Sequence, residues 1–172
     1  GKLLFKTKNY VHASNVFKSL FEVDSKNPNY HYELGLALEQ LNNLSAQNNF
    51  YYAFKLDSTH QKAIYKLAKH NLKNGKNTLA DIYIDVGLSS YENNKELISL
   101  KSQNYFVRNL YDDAIVWFEK LISLNESSQF IHEKLSVSYA KILEYEKAIM
   151  HGEMALKFDP ENAKNLYILG QL

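Results

Sequence analysis

Four lysines, Lys62, Lys66, Lys69 and Lys73, follow one another at spacings of four, three and four. On a helix that spacing brings all four ammonium groups onto one face. Like charges stacked this way repel by roughly 0.2–0.5 kcal/mol per pair. The plain reading is a solvated face of a lysine-rich chain. The sharper reading is a cationic stripe, flanked by Tyr32 and Tyr65, for an acidic peptide or a terminal carboxylate.

Other reactive residue types fall into no recognised chemical pattern. The six histidines (12, 31, 60, 70, 132, 151) include no two at the three- or four-residue spacing of helical metal ligands. Each therefore reads as a surface or half-buried helix residue. His132-Glu133 opens like a zinc-protease helix, but Ser136 stands where the second histidine is required. Gly75-Lys76 lacks the upstream glycine of a phosphate-binding loop, and no Gly-x-Gly-x-x-Gly occurs. The expectation is a non-enzyme that holds no cofactor and no metal.

Composition sets the outer bounds. The 20 basic and 19 acidic residues give a net charge of +1, which makes no general case for nucleic acid as a partner. No apolar run approaches membrane-spanning length, so direct insertion is not expected. With no cysteine, disulfide staples and thiolate metal sites are excluded. Only 6 glycines and 2 prolines in 172 residues argue for a regular, helix-dominated chain. The first residue is Gly1, so the chain reads as a fragment of a longer protein. Its wealth of Asn, Lys and Tyr suggests an AT-rich, bacterial genome, with cytoplasm and periplasm both open.

The elements that must position these residues come from an internal repeat. A ladder of alanines runs Ala13, Ala46, Ala80, Ala114 and Ala148, at spacings of 33, 34, 34 and 34. Small residues precede it at Gly1, Gly35, Ala68, Ser102 and Ser136, and Gly170 opens a further unit. Leu20, Ala53, Gly87, Leu121 and Ala155 follow each alanine by seven. Three columns in one register define helix pairs in which small residues let the two backbones approach.

First helices are expected near 28–41, 60–73, 94–107 and 128–141, with a further start at 162–172. Second helices are expected near 9–22, 43–55, 77–89, 111–123 and 145–157. Asn27 is placed to cap a helix whose first position is Pro28. Pro160 closes the last full one. The second unit is one residue short, in the turn near Asn42-Asn43. Lys101 stands where the repeat wants leucine, with Leu100 beside it, which predicts a rotation or a local irregularity of helix 94–107. One pair cannot bury its apolar face alone, so neighbouring pairs must stack.

The pattern resembles the tetratricopeptide repeat, a 34-residue helix-turn-helix unit. Leu135-Ser136, Tyr139, Tyr145, Ala148, Ala155 and Pro160 carry the likeness best, and Tyr10/Ala13/Phe17, Leu34-Gly35/Ala46/Ala53 and Tyr111/Ala114/Phe118 support it. The resemblance implies an all-α, right-handed solenoid of antiparallel helix pairs. Its units fall near 1–27, 28–60, 61–94, 95–128, 129–162 and 163–172, as one array.

It also implies a protein-interaction scaffold whose first helices line a concave groove for a peptide or partner protein. The groove columns then offer Tyr32, Leu36, Lys62, Tyr65, Lys66, Lys69, Lys73, Phe106, Phe130 and Lys134. The lysine and asparagine clamp that some relatives use for chaperone tails is not matched, because Glu33 occupies an asparagine position. The alternative is a spacer segment of a larger regulatory or envelope-associated protein. Cut first helices at both ends, with Leu3, Leu4 and Phe5 or Leu166, Ile168 and Leu169, suggest self-association through the end repeats.

Overall fold

A computed structural model describes residues 8–161 and residue 170. The expectations for residues 1–7, 162–169 and 171–172, including the apolar end faces and the remnant first helix, lie outside the described residues. Among the described residues every regular element is a helix: α1 (Tyr10–Val23), α2 (Pro28–Gln40), α3 (Ala46–Leu56), α4 (Gln61–Lys73), α5 (Asn77–Ser90), α6 (Lys95–Val107), α7 (Tyr111–Ser123), α8 (Gln129–Lys141) and α9 (Tyr145–Phe158). They fall into two compact units that divide between Glu92 and Asn93.

In the first unit, α1 to α4 each pack on the next helix in the chain, and in the second unit α6 to α8 do the same. The repeat columns supply the contact surfaces. Ala13, Ala80, Ala114 and Ala148 are wholly buried, and so are Ala68, Ser102 and Ser136 opposite them. Phe17, Phe50, Ile84 and Phe118, four residues after the alanines, are buried beside them. At Gly35 the approach leaves no room for a side chain, since a Cβ there would sit 2.7 Å from the Phe50 ring.

Each described turn from a first to a second helix uses one residue in the left-handed region, Asn42, Gly75, Asn109 or Leu143, and Lys8, just before α1, shares it, with φ between 52° and 70°. The amide after it bonds back to the first helix, as in Asn43 to Leu38 (2.9 Å), Lys76 to Asn71 (2.9 Å), Leu110 to Tyr105 (3.0 Å) and Glu144 to Tyr139 (2.9 Å). This is the usual C-terminal closure of a helix by a left-handed residue. Asn27 caps α2 by accepting from the Asn29 amide, with Pro28 at the first position.

The missing residue of the second repeat lies just after this closure. The Ala80, Ala114 and Ala148 amides bond to the carbonyl four residues back, whereas Ala46 reaches only three back, to Asn43. Helix α3 accordingly starts at its ladder alanine, and Ser45 provides no side-chain cap.

Lys101 corrects one expectation. Helix α6 is regular over 13 residues. Lys101 is buried there, its ammonium 4.6 Å from the Trp117 ring centroid. A cation over an indole face replaces the apolar contact that leucine would make.

Candidate protein-binding surfaces

The ten residues singled out by the repeat register separate into two groups, one in each unit. In the first unit Tyr32 and Leu36 on α2 are half-buried and lean on the core around Phe50. The Tyr32 ring lies 5.8 Å from Phe50 and 5.2 Å from His60. Burial first, then the Glu33 and Glu39 charges, push its phenol up to about 12, so it stays a hydrogen-bond donor.

The lysine stripe of α4 does not act as four equal charges. Lys66 is half-buried, ion-paired with Glu39 of α2 and 5.7 Å over the Phe50 ring. Lys69 lies over the ring of Tyr65, 5.6 Å from its centroid. Lys62, Lys69 and Lys73 are exposed. Lys66, Lys69 and Lys73 border an open depression of about 620 Å³, whose opposite wall is the turn from Asn42 to Leu44 and the shortened start of α3. Lys62 is not part of its lining. Three ammonium groups face one carboxylate there, Glu39, so the rim carries a surplus of two positive charges when its His70 is neutral.

In the second unit, Phe106 of α6 and Phe130 and Lys134 of α8 come together. The Lys134 ammonium is 4.2 Å from the Phe106 centroid and 5.4 Å from that of Phe130. Both phenyl rings meet buried Phe118 edge-on, at 6.5 and 6.3 Å. Phe130 remains 42% exposed and neighbouring Val107 63%, which leaves apolar area open beside a cation.

Among the described residues no group of three or more His, Asp or Glu side chains is arranged to hold a metal. No described helix is long and apolar enough to cross a membrane. The register did not flag one polar cluster. His132 and His151 are each 4% exposed, and their Nδ1 atoms lie 2.9 Å apart. They are 19 residues apart, so spacing along one helix gave no sign of them. Their positions, four before Ser136 and three after Ala148, do fall on the two inner faces.

No family model matches the chain. Over 127 residues it is 24% identical to anaphase-promoting complex subunit 3 of Schizosaccharomyces pombe, covering 74% of this chain and 19% of that protein. The structure of MamA aligns with a TM-score of 0.82 at 18% identity, over 95% of this chain and 90% of that one. YrrB, a TPR protein with an unusual peptide-binding site, gives 0.83 at 19% identity, over 99% and 88%. A tetratricopeptide repeat protein from Parabacteroides merdae gives 0.82 at 14% identity, over 98% and 67%. The chain is therefore a helical-hairpin repeat protein. Its repeats have the tetratricopeptide repeat fold.

Proposed function

We propose that the chain binds an extended, acidic segment of a partner protein against the first-helix face of its first unit. The observation that carries this reading is the depression beside α4. It is large enough for several side chains, open to solvent, and rimmed by Lys66, Lys69 and Lys73 against the single carboxylate of Glu39. Glu39 already pairs with Lys66, so an incoming carboxylate meets Lys69 and Lys73. An exchangeable pair of this kind favours fast, salt-sensitive association more than high affinity. That YrrB has a peptide-binding site on the same fold supports the reading.

In the second unit, Phe106, Phe130 and Lys134 offer an apolar partner residue two rings and a cation. Aromatic surface beside a positive charge is typical of residues that dominate binding energy.

The test is fluorescence anisotropy with a labelled peptide of alternating glutamate and leucine, and with its glutamine counterpart. The glutamate peptide should bind at least about ten-fold tighter, with the preference lost in Lys69→Glu/Lys73→Glu. Equal binding of both peptides, or an unchanged preference in that variant, would overturn the acidic-segment reading. A second reading, a spacer within a larger protein, draws on the 19% of anaphase-promoting complex subunit 3 that the chain spans. Loss of partner capture by the longer protein on charge reversal at Lys69 and Lys73 would count against a mere spacer.

A further inference from the structure

Between α7, α8 and α9 runs a chain of polar groups, two buried imidazoles between exposed Ser127 and half-exposed Glu119, that neither unit needs for the binding described above. The Ser127 hydroxyl lies 2.9 Å from His132 Nε2. His132 Nδ1 lies 2.9 Å from His151 Nδ1. His151 Nε2 lies 3.3 Å from Glu119, and the Tyr139 hydroxyl donates to the same carboxylate oxygen at 3.2 Å. The two imidazoles are stacked at 5.2 Å, and Tyr139 lies parallel to His151 at 5.5 Å.

Proton counting limits what this chain can hold. Two nitrogens 2.9 Å apart share one hydrogen, so one must donate and the other accept. With both rings neutral the order closes: Ser127 donates to His132, His132 to His151, and His151 to Glu119. One added proton is also accommodated. His151 becomes the cation between Glu119 and His132, while His132 takes its other tautomer and donates to Ser127. A second proton has no place, because two N–H groups would then face each other between stacked cations closed off from water.

We propose that the His132–His151 pair is a pH-operated latch, which holds α9 against α8 while it carries at most one proton and releases it on the second. Repeat two contains its counterpart without the titrating half. His31 and Asn49 occupy the same two register positions, with His31 Nδ1 3.4 Å from the Asn49 carboxamide oxygen.

Other charges near the pair set the direction. Burial holds both imidazoles below the ordinary histidine value; for His132 the charge of His151 adds to this. Glu119 opposes the shift in both. Tyr139 does not compete for protons, because burial first, then Glu119 and Glu144, push it up to about 12. Lys147 lies 5.3 Å over the Tyr139 ring and is paired with Glu144 at 3.2 Å. A lowered histidine value means stability is fully present above about 6.5 and is lost as pH falls through the folded-state values. Phe158, stacked on His132 at 6.1 Å, ties the end of α9 to the same ring.

Amide exchange of the whole chain, corrected for intrinsic rates, tests the latch. Between pH 7.5 and 5, protection of α9 should fall by at least about ten-fold relative to α3. His151→Asn, which copies the pair of repeat two, should reduce that change to less than about two-fold. Equal loss in α3 and α9, or the full loss retained in His151→Asn, would overturn the proposal. NMR titration of the wild-type imidazoles keeps the test open if that variant fails to fold. A second protonation that coincides with loss of α9 protection supports the latch; two independent titrations at ordinary values with α9 still protected reject it.

Discussion

Repeats two and five solve one packing problem in opposite ways. In repeat two the small first-helix residue is Gly35, and the Phe50 ring presses into the space a side chain would need. In repeat five it is Ser136, whose hydroxyl fills that space and donates to the Ala148 carbonyl at 2.8 Å. One helix pair is closed by an aromatic ring and the other by a hydrogen bond. The polar pair beside each contact differs in kind too: His31 with Asn49 cannot accumulate charge on its second member, whereas His132 with His151 can. The repeat thus fixes where two helices touch and leaves open what the contact responds to.

The largest expected effect comes from removing that freedom in repeat two. A Cβ on Gly35 meets two Phe50 ring carbons at 2.7 and 2.8 Å and the Ala46 carbonyl oxygen at 3.2 Å. Phe50 is only 3% exposed and is packed among Leu34, Leu38 and Leu67, so the ring moves only at the cost of those contacts, toward the depression beside α4. Gly35→Ala should therefore cost about 2–3 kcal/mol in urea denaturation.

Asn49→His should come next, by importing the titrating half into repeat two. Stability should be nearly unchanged at pH 8 and lower by about 1–2 kcal/mol at pH 5, because a second buried proton is added there. Thermal midpoints at the two pH values would show it, and parallel shifts would mean that the pair in repeat five depends on Glu119 as well. Ser136→Ala removes one buried hydrogen bond and should cost about 1 kcal/mol. A larger loss than in Gly35→Ala would reverse the ranking of the two closures.

The smallest effect should be a gain. Leu143 holds φ 67° while 69% exposed, at the turn position that Asn42 fills in repeat two. Leu143→Asn should stabilise repeat five by about 0.5 kcal/mol, read as a higher unfolding midpoint.

The helices were legible because their signals are local. Alanine spacing, the Asn27-Pro28 start and the Pro160 stop each act within a few residues of where they appear. The left-handed column was legible in part, since Asn42, Gly75 and Asn109 are types that tolerate this conformation, whereas Leu143 carries no such signal and is held there by the backbone closure. The lysine stripe was visible as a helical face. Its division was not, because Glu39 approaches Lys66 from 27 residues away on another helix. The histidine pair needed the knowledge that positions four before one small column and three after the other face each other. Lys101 misled for a related reason: the Trp117 ring that receives it belongs to the neighbouring helix.

That helices within each unit pack on the next one in sequence bears on how the protein is made. The contact within a hairpin needs nothing still inside the ribosome once its second helix has emerged, while its outer apolar face waits for the next pair, so structure within each unit can accrue in the order of synthesis. In repeat five the order matters, because His132 emerges before the partner that shares its proton. Until α9 arrives, that imidazole faces solvent, and completion of the hairpin ties its protonation to that of His151.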